Sequence, residues 1–150
     1  MKVKKTRFCS DLGVPVVNGF IHGIPFNAIL DTGSEETLID VDFVKKNKKF
    51  FSLTKTDYKI NFSGIHGDKD TRIVHAATDI TFKYNNGKTF DISLENAVVY
   101  NMSFLNNTVR SKGFEIHALL GSRFFSSKNA EINYNTKELI FNICQTKPAR

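Results

Sequence analysis

Phe26-Asn27-Ala28-Ile29-Leu30-Asp31-Thr32-Gly33-Ser34 is the most informative segment of this chain. An apolar run passes straight into an aspartate, which puts a carboxylate at the buried end of a β-strand, where desolvation or a neighbouring charge can move its pKa. The residues that follow suit such a site. A threonine hydroxyl at 32 can hydrogen-bond across to a partner loop and hold it rigid, and glycine at 33 lets the backbone turn tightly and bring an N–H close to the carboxylate. Aspartate and glycine are also common turn residues, so the triplet alone equally describes a turn after a buried strand. Its surroundings decide between the two.

Outward from this segment, short runs rich in Val, Ile, Phe, Tyr and Thr alternate with Gly and Asn turns, the pattern of an all-β sandwich or barrel. Val14–Ile21 and Ile24–Leu30 read as strands around a His22-Gly23 turn. Lys59–Phe62 and Arg72–Phe82 flank Ser63-Gly64-Ile65-His66-Gly67-Asp68. Thr89–Tyr100 follows Asn85-Asn86-Gly87, whose Asn-Gly pair suits a type I′ hairpin. Ile132–Tyr134 and Glu138–Ile143 form a last hairpin around Asn135-Thr136. Helix is expected at Thr37–Lys46, with Asp40 and Asp42 near its start and lysines at its end, and at His117–Ser126. Tyr100–Gly113 reads as a long loop.

Composition sets the outer bounds. The 150 residues, 41% hydrophobic and 24% charged, suit a single domain over 1–150 with a core large enough to need no staples. No apolar run reaches the roughly 18–20 residues of a membrane span, and no leader-like block follows Met1-Lys2-Val3-Lys4-Lys5. A cytoplasmic location is expected if this N-terminus is native, a periplasmic or secreted one if a leader was removed. Membrane binding is not expected. The net charge of +6 permits an anionic partner, but the dense basic run Lys45-Lys46-Asn47-Lys48-Lys49 lacks glycines or aromatics and reads as a solvated helix end. Nucleic acid is therefore not an expected partner. Cys9 and Cys144 stand near opposite ends without C-x-x-C spacing, either unbridged or joined if the chain ends pair in one sheet. His22, His66, His75 and His117 show no ligand spacing, so neither a metal nor a cofactor is expected.

Asp31-Thr32-Gly33-Ser34 after an apolar strand resembles the catalytic loop of the retropepsin-like aspartic proteases. Three further segments appear in matching order. Gly64-Ile65-His66-Gly67 is similar to the glycine-containing flap that closes over substrate. Ala118-Leu119-Leu120-Gly121 with Phe124-Phe125 resembles the apolar-apolar-Gly segment that enters the family's helix beside the catalytic loop. Ala130 to Phe141 resembles the closing hairpin of many bacterial members. The resemblance implies an all-β acid-protease barrel with one short C-terminal helix and a flap hairpin. It implies catalytic roles for Asp31, Thr32 and Gly33, and substrate contacts for Ser34, Glu35, Gly64, Ile65, His66 and Gly67.

Water-driven peptide hydrolysis needs one carboxylate as general base and a second, protonated, to polarise the carbonyl and pass a proton to the leaving amine. Two close carboxylates sharing one proton meet both demands, the case for which aspartic proteases are the standard illustration. Only Asp31 has the Asp-Thr/Ser-Gly context here. An active enzyme therefore requires a homodimer, with Asp31 meeting its symmetry mate and an extended peptide or protein substrate bound across the shared cleft.

The sequence departs from the viral pattern at Glu35 and Glu36, where aspartates are usual, and at Arg123, two residues after Gly121 rather than one. Glu35 could pair with Arg123 or with Arg7, whereas Glu36 is expected to be a plain surface charge. Three readings follow: a homodimeric aspartic endopeptidase, a dormant relative that binds peptides or proteins, and a basic nucleic-acid-binding β-domain using Lys45–Lys49. The first accounts for the most residues.

Overall fold

The computed structural model describes residues 3–59, 72–109, 113 and 115–142. The strands are β1 (Lys4–Cys9), β2 (Val16–Ile21), β3 (Ile24–Leu30), β4 (Leu38–Asp40), β5 (Ser52–Lys59), β6 (Arg72–Lys83), β7 (Thr89–Tyr100), β8 (Ala118–Leu120), β9 (Ala130–Asn133) and β10 (Glu138–Phe141). Three short helices join them: α1 (Val41–Lys46), α2 (Ser103–Val109) and α3 (Ser122–Ser127). The strands form one sheet in the order β5-β6-β7-β4-β8-β3-β2-β1-β10-β9. A further β2–β6 pairing closes the six strands β2, β3, β8, β4, β7 and β6 into a barrel.

Closure occurs where Phe20 faces Thr81. There Gly19 lies so near β6 that a Cβ would stand 2.9 Å from the Ile80 side chain and 3.1 Å from the Phe82 ring. The barrel interior is filled by Ile21, Phe26, Ile39, Ile80, Phe82, Leu94, Leu120, Leu139 and Phe141, all fully buried. Val16, Ile29, Met102, Val109 and Ile116 form a second cluster. Phe26, Ala28 and Leu30 of β3 pack into the first cluster and Ile29 into the second. A strand covered on both faces reads as a continuous apolar run, which is what leads into Asp31.

The central crossing fixes the site. β8 lies between β3 and β4, parallel to the first (Ala28↔Ala118, Ile29↔Leu119, Leu30↔Leu120) and antiparallel to the second (Leu38↔Leu119, Ile39↔Ala118). The segment from Asp31 to Thr37 must therefore pass over the end of β8.

Several local expectations are corrected. The predicted helix over Thr37–Lys46 begins only at Val41. Leu38–Asp40 is strand because β4 finds ladder partners on both sides, β7 and β8, and those outweigh helix propensity. The predicted helix over His117–Ser126 divides for the same reason into β8 and α3. α3 is the expected C-terminal helix and α1 the shortened remainder of the first expected one, while α2 is an addition. α2 lies inside the stretch read as a loop, with Asn106 and Val109 buried. β1, which no signal revealed, pairs with β10 and β2. The Asn85-Asn86-Gly87 turn is not type I′. Of its three residues only Gly87 has positive φ, and Gly87 N–H donates to Tyr84 O (3.1 Å), the three-residue loop with a glycine bulge. Lys45 and Lys46 close α1 as exposed residues, as expected of a solvated helix end.

Candidate active site

Asp31 follows β3 directly, and its N–H donates to Leu120 O (3.0 Å), extending the β3–β8 pairing by one bond. From there the chain turns. Gly33 N–H donates to Asp31 Oδ1 at 3.0 Å, and Ser34 N–H to Asp31 O at 3.1 Å. The first bond orients the carboxylate, as the glycine was expected to do. Asp31 is half-buried and Thr32 and Gly33 are exposed, so the carboxylate stands at the surface of the single chain and not in its interior. The buried cover of β3 ends at Leu30.

The far side of the loop is tied down. Ser34 Oγ–H donates to Glu36 O (2.9 Å), Ser122 N–H to Ser34 O (2.6 Å) and Arg123 N–H to Glu35 O (3.2 Å). Thr37 Oγ1 accepts the N–H of Gly121 at 3.0 Å. A Cβ at Gly121 would collide with the carbonyl oxygens of Glu36 and Ser34, the latter at 2.6 Å. The apolar-apolar-Gly signature thus has a steric cause, since the first turn of α3 can reach the loop only if residue 121 has no side chain.

Arg123, not Arg7, closes the ion pair left open by the sequence. Its Nη2 lies 2.9 Å from Glu35 Oε1 and its Nε 3.1 Å from Glu36 Oε1. Glu36 is therefore a member of this cluster and not the lone surface charge expected. The two-residue offset from Gly121 places Arg123 in the first turn of α3, above both glutamates. The hydrogen bond that Arg123 donates to Glu35, then the charges of Glu36 and Glu35, push the guanidinium pKa further up.

Behind the loop lies a polar scaffold that sequence reading missed. Asn106, buried on α2, accepts from Ile116 N–H (2.7 Å) and donates to Ile116 O (2.9 Å). Asp40 Oδ1 accepts Met102 N–H at 3.2 Å. His117 Nδ1 accepts the N–H of Asn27 at 3.0 Å, while its ring packs 4.4 Å from Phe43. Burial pushes the His117 pKa below its ordinary value of 6.5. Glu115 and Asp40 oppose that shift and Lys46 adds to it. The only available signal was that these polar residues sit inside otherwise apolar stretches.

Gly64, Ile65, His66 and Gly67 lie outside the described residues, as does Cys144, while Cys9 is half-buried at the end of β1. Among the described residues no three His, Cys, Asp or Glu side chains gather to hold a metal ion, and no helix is long and apolar enough to cross a membrane.

A closed six-stranded barrel with an Asp-Thr-Gly loop laid over the end of an apolar-apolar-Gly strand defines a retropepsin-like acid-protease lobe. The aspartyl protease family matches residues 17–124, which include the loop, β8 and the start of α3, and the chain belongs to that family. Among solved structures it resembles the retroviral protease-like domain of Ddi1 from Leishmania major, at 9% identity and a TM-score of 0.50, over 93% of this chain and 90% of that one. A retropepsin-like aspartic protease from Rickettsia conorii aligns at 12% identity and a TM-score of 0.47, again over 93% and 90%. No curated protein matches the sequence.

Proposed function

We propose that this chain is an aspartic endopeptidase that hydrolyses extended polypeptides as a homodimer, residues 1–150 of each copy contributing one Asp31 to a shared dyad. The observation that carries this reading is the state of Asp31. Its carboxylate is oriented by Gly33 N–H on a loop braced by α3, yet among the described residues no other side chain bonds to it. The nearby acids are engaged elsewhere, Glu35 and Glu36 on Arg123 and Asp40 on Met102 N–H.

In the dimer the two carboxylates share one proton, because two like charges at short range cannot both ionise. The ionised member takes a proton from the attacking water. The protonated member polarises the scissile carbonyl and, as the tetrahedral species collapses, a proton passes to the leaving amine. Thr32 braces the opposing loop, and Gly33 keeps the approach to the dyad clear. Ser34 and Glu35 border the substrate main chain, and Gly64, Ile65, His66 and Gly67 close over it as a flap.

Asp31→Asn is expected to lower cleavage of an unfolded polypeptide at mildly acidic pH by about 10⁴-fold, the upper range for loss of an acid–base group. Sedimentation should show the variant still dimeric. Mixing tests the shared site directly. If each site needs two Asp31 residues, excess Asp31→Asn chains suppress wild-type activity well beyond dilution once subunits exchange. Activity that survives in Asp31→Asn removes the assignment. A wild-type dimer that binds peptide without cleaving it favours the dormant binding module.

A further inference from the structure

At the end of the barrel away from the Asp31 loop, β1, β2 and the turn between β6 and β7 surround an open basin of about 510 Å³. Asn18 and Phe20 of β2 stand opposite Asn27 and Pro25 of β3, and Pro25 precedes Asp31 by six residues, about 20 Å of extended strand. The rim is fixed by contacts that use none of its charged groups. Thr6 Oγ1–H donates to Lys83 O (2.8 Å), which ties β1 to the end of β6. Tyr84 N–H donates to Lys88 O (2.8 Å), and the Tyr84 ring packs 4.6 Å from Phe90. Asn85 Nδ2–H reaches Glu138 Oε2 at 3.4 Å.

Two cations line this basin, Arg7 of β1 and Lys83 of β6, and no acidic residue does. Neither cation has an ion-pair partner among the described residues. Lys83 Nζ rests over the Phe20 ring, 5.1 Å from its centroid, and a ring cancels no net charge. The bordering acids are engaged elsewhere. Glu138, opposite Arg7 in the β1–β10 register, is buried against Lys5 (3.4 Å) and Asn85, and Asp91 accepts from Thr81 Oγ1 (2.7 Å). The rest of the polar lining, Asn18, Asn85 and Tyr84, is neutral, so a cationic ligand would meet dipoles beside two like charges. An oxyanion instead gains from both cations and relieves their mutual repulsion. The planar fork of Arg7 matches a carboxylate or phosphate with two parallel bonds. Half-buried Phe20 and Tyr84 offer apolar surface to the carbons that carry it.

We infer that this basin is a docking site for an anionic side chain of the polypeptide substrate, a carboxylate or a phosphate monoester, held by Arg7 and Lys83 at a distance from the scissile bond. The inference rests on the proposed endopeptidase reading, which supplies the polypeptide. The anchored residue lies outside the stretch that crosses the dyad, and a substrate occupies both places only if it continues for at least about six extended residues. Docking of this kind raises the effective concentration of the cleavable stretch at the dyad without adding a contact to the reacting bond. Arg7 and Lys83 are exposed, so the attraction fades as salt rises.

The test measures fluorescence anisotropy on full-length Asp31→Asn protein with short labelled Gly-Ser peptides carrying paired Glu, paired phosphoserine or paired Gln. At low salt the two anionic peptides should bind about tenfold more tightly than the Gln peptide, the scale of a charge-assisted bidentate contact. Phosphoserine binding well above Glu identifies phosphate as the source of the anion, and parity identifies carboxylate. The preference should fall to near one in Arg7→Gln/Lys83→Gln and persist in Lys45→Gln/Lys48→Gln, which removes the same charge from the basic run. Asn18→Asp, which adds a carboxylate to the lining, should also lower it and serves in place of the first double variant should that fail to fold. On wild type, a cleavable peptide extended by the Glu segment should show a lower KM than its Gln counterpart at unchanged kcat. No preference, equal losses in the two double variants, a preference untouched by Asn18→Asp, or tighter binding of single-stranded DNA of equal charge overturns the site. Preference without wild-type cleavage leaves the docking site standing and removes only the catalytic reading, and cleavage without preference does the reverse.

Discussion

From Ser34 to Thr37 the loop is tied to the chain that follows β8 by four bonds, Ser122 N–H, Arg123 N–H and Gly121 N–H on one side and the Arg123 guanidinium on the other. From Asp31 to Gly33 the same loop presents two exposed residues and one half-buried carboxylate, with a single bond to that carboxylate. The braced part is satisfied within one chain. The bare part has a carboxylate that no other side chain among the described residues engages. On the proposed function that carboxylate is the chain's half of a shared site. Substitutions in the two parts should therefore separate folding from catalysis.

The largest structural effect belongs to Gly121→Ala. The new methyl group would strike backbone carbonyls, which cannot swing aside as a flexible side chain can. Overpacking of this kind costs about 3 kcal/mol or more, and chemical denaturation should show that loss or outright failure to fold. Asp31→Asn, which on the proposed function loses cleavage, should alter stability by less than about 0.5 kcal/mol, because an Asn oxygen can still accept Gly33 N–H. Equal stability losses in the two variants would erase the distinction between braced and bare parts.

The middle-sized effect concerns the scaffold and is read through pH. His117 accepts Asn27 N–H at Nδ1, which only the neutral ring can do, and burial lowers its pKa in the folded state. The unfolded chain therefore binds the proton more readily than the folded one. This contribution to stability is complete above about pH 6.5 and declines as pH falls from there toward the folded-state pKa. Denaturation of Asp31→Asn between about pH 7.5 and 5 isolates the term from the dyad, and His117→Gln should flatten the slope. An unchanged slope would show that His117 does not titrate against the fold. On the proposed function, the acid range suited to a proton-sharing dyad is also one in which the Asn27–His117 bond weakens.

What the sequence made legible follows from how local each signal is. The Asp31 loop, the strand before it and Gly121 were readable because each depends on a few neighbouring residues: an apolar run, a triplet, a glycine where nothing larger fits. Leu38–Asp40 and Ala118–Leu120 were taken into helices because three residues carry too little periodicity, and their strand character comes from ladder partners far along the chain. The bracing roles of Asn106 and His117 were not legible because a buried polar side chain is recognised by the backbone group it satisfies, Ile116 and Asn27 here, and only the fold brings those together. Arg123 was a candidate for Glu35 but not for Glu36, since sequence distance says nothing about which way the first turn of α3 faces.

Arg123→Gln should give the smallest change, and it tests which bonds brace the loop. Its two ion pairs look strong by distance, but Arg123 and Glu35 are 67% and 71% exposed, so water and salt screen their attraction and ordering two long side chains offsets much of the rest. The backbone bonds from Ser122 and Arg123, and the Gly121 N–H to Thr37 Oγ1 bond, remain in the variant because none uses the guanidinium. Thermal melts of wild type and Arg123→Gln should nearly coincide at low salt and become indistinguishable at high salt. A large, salt-insensitive loss would mean that side-chain charge, and not the main-chain bonds to α3, braces the loop. In that case the chain would need Arg123 for folding, and a charge 67% exposed would be contributing as though it were buried.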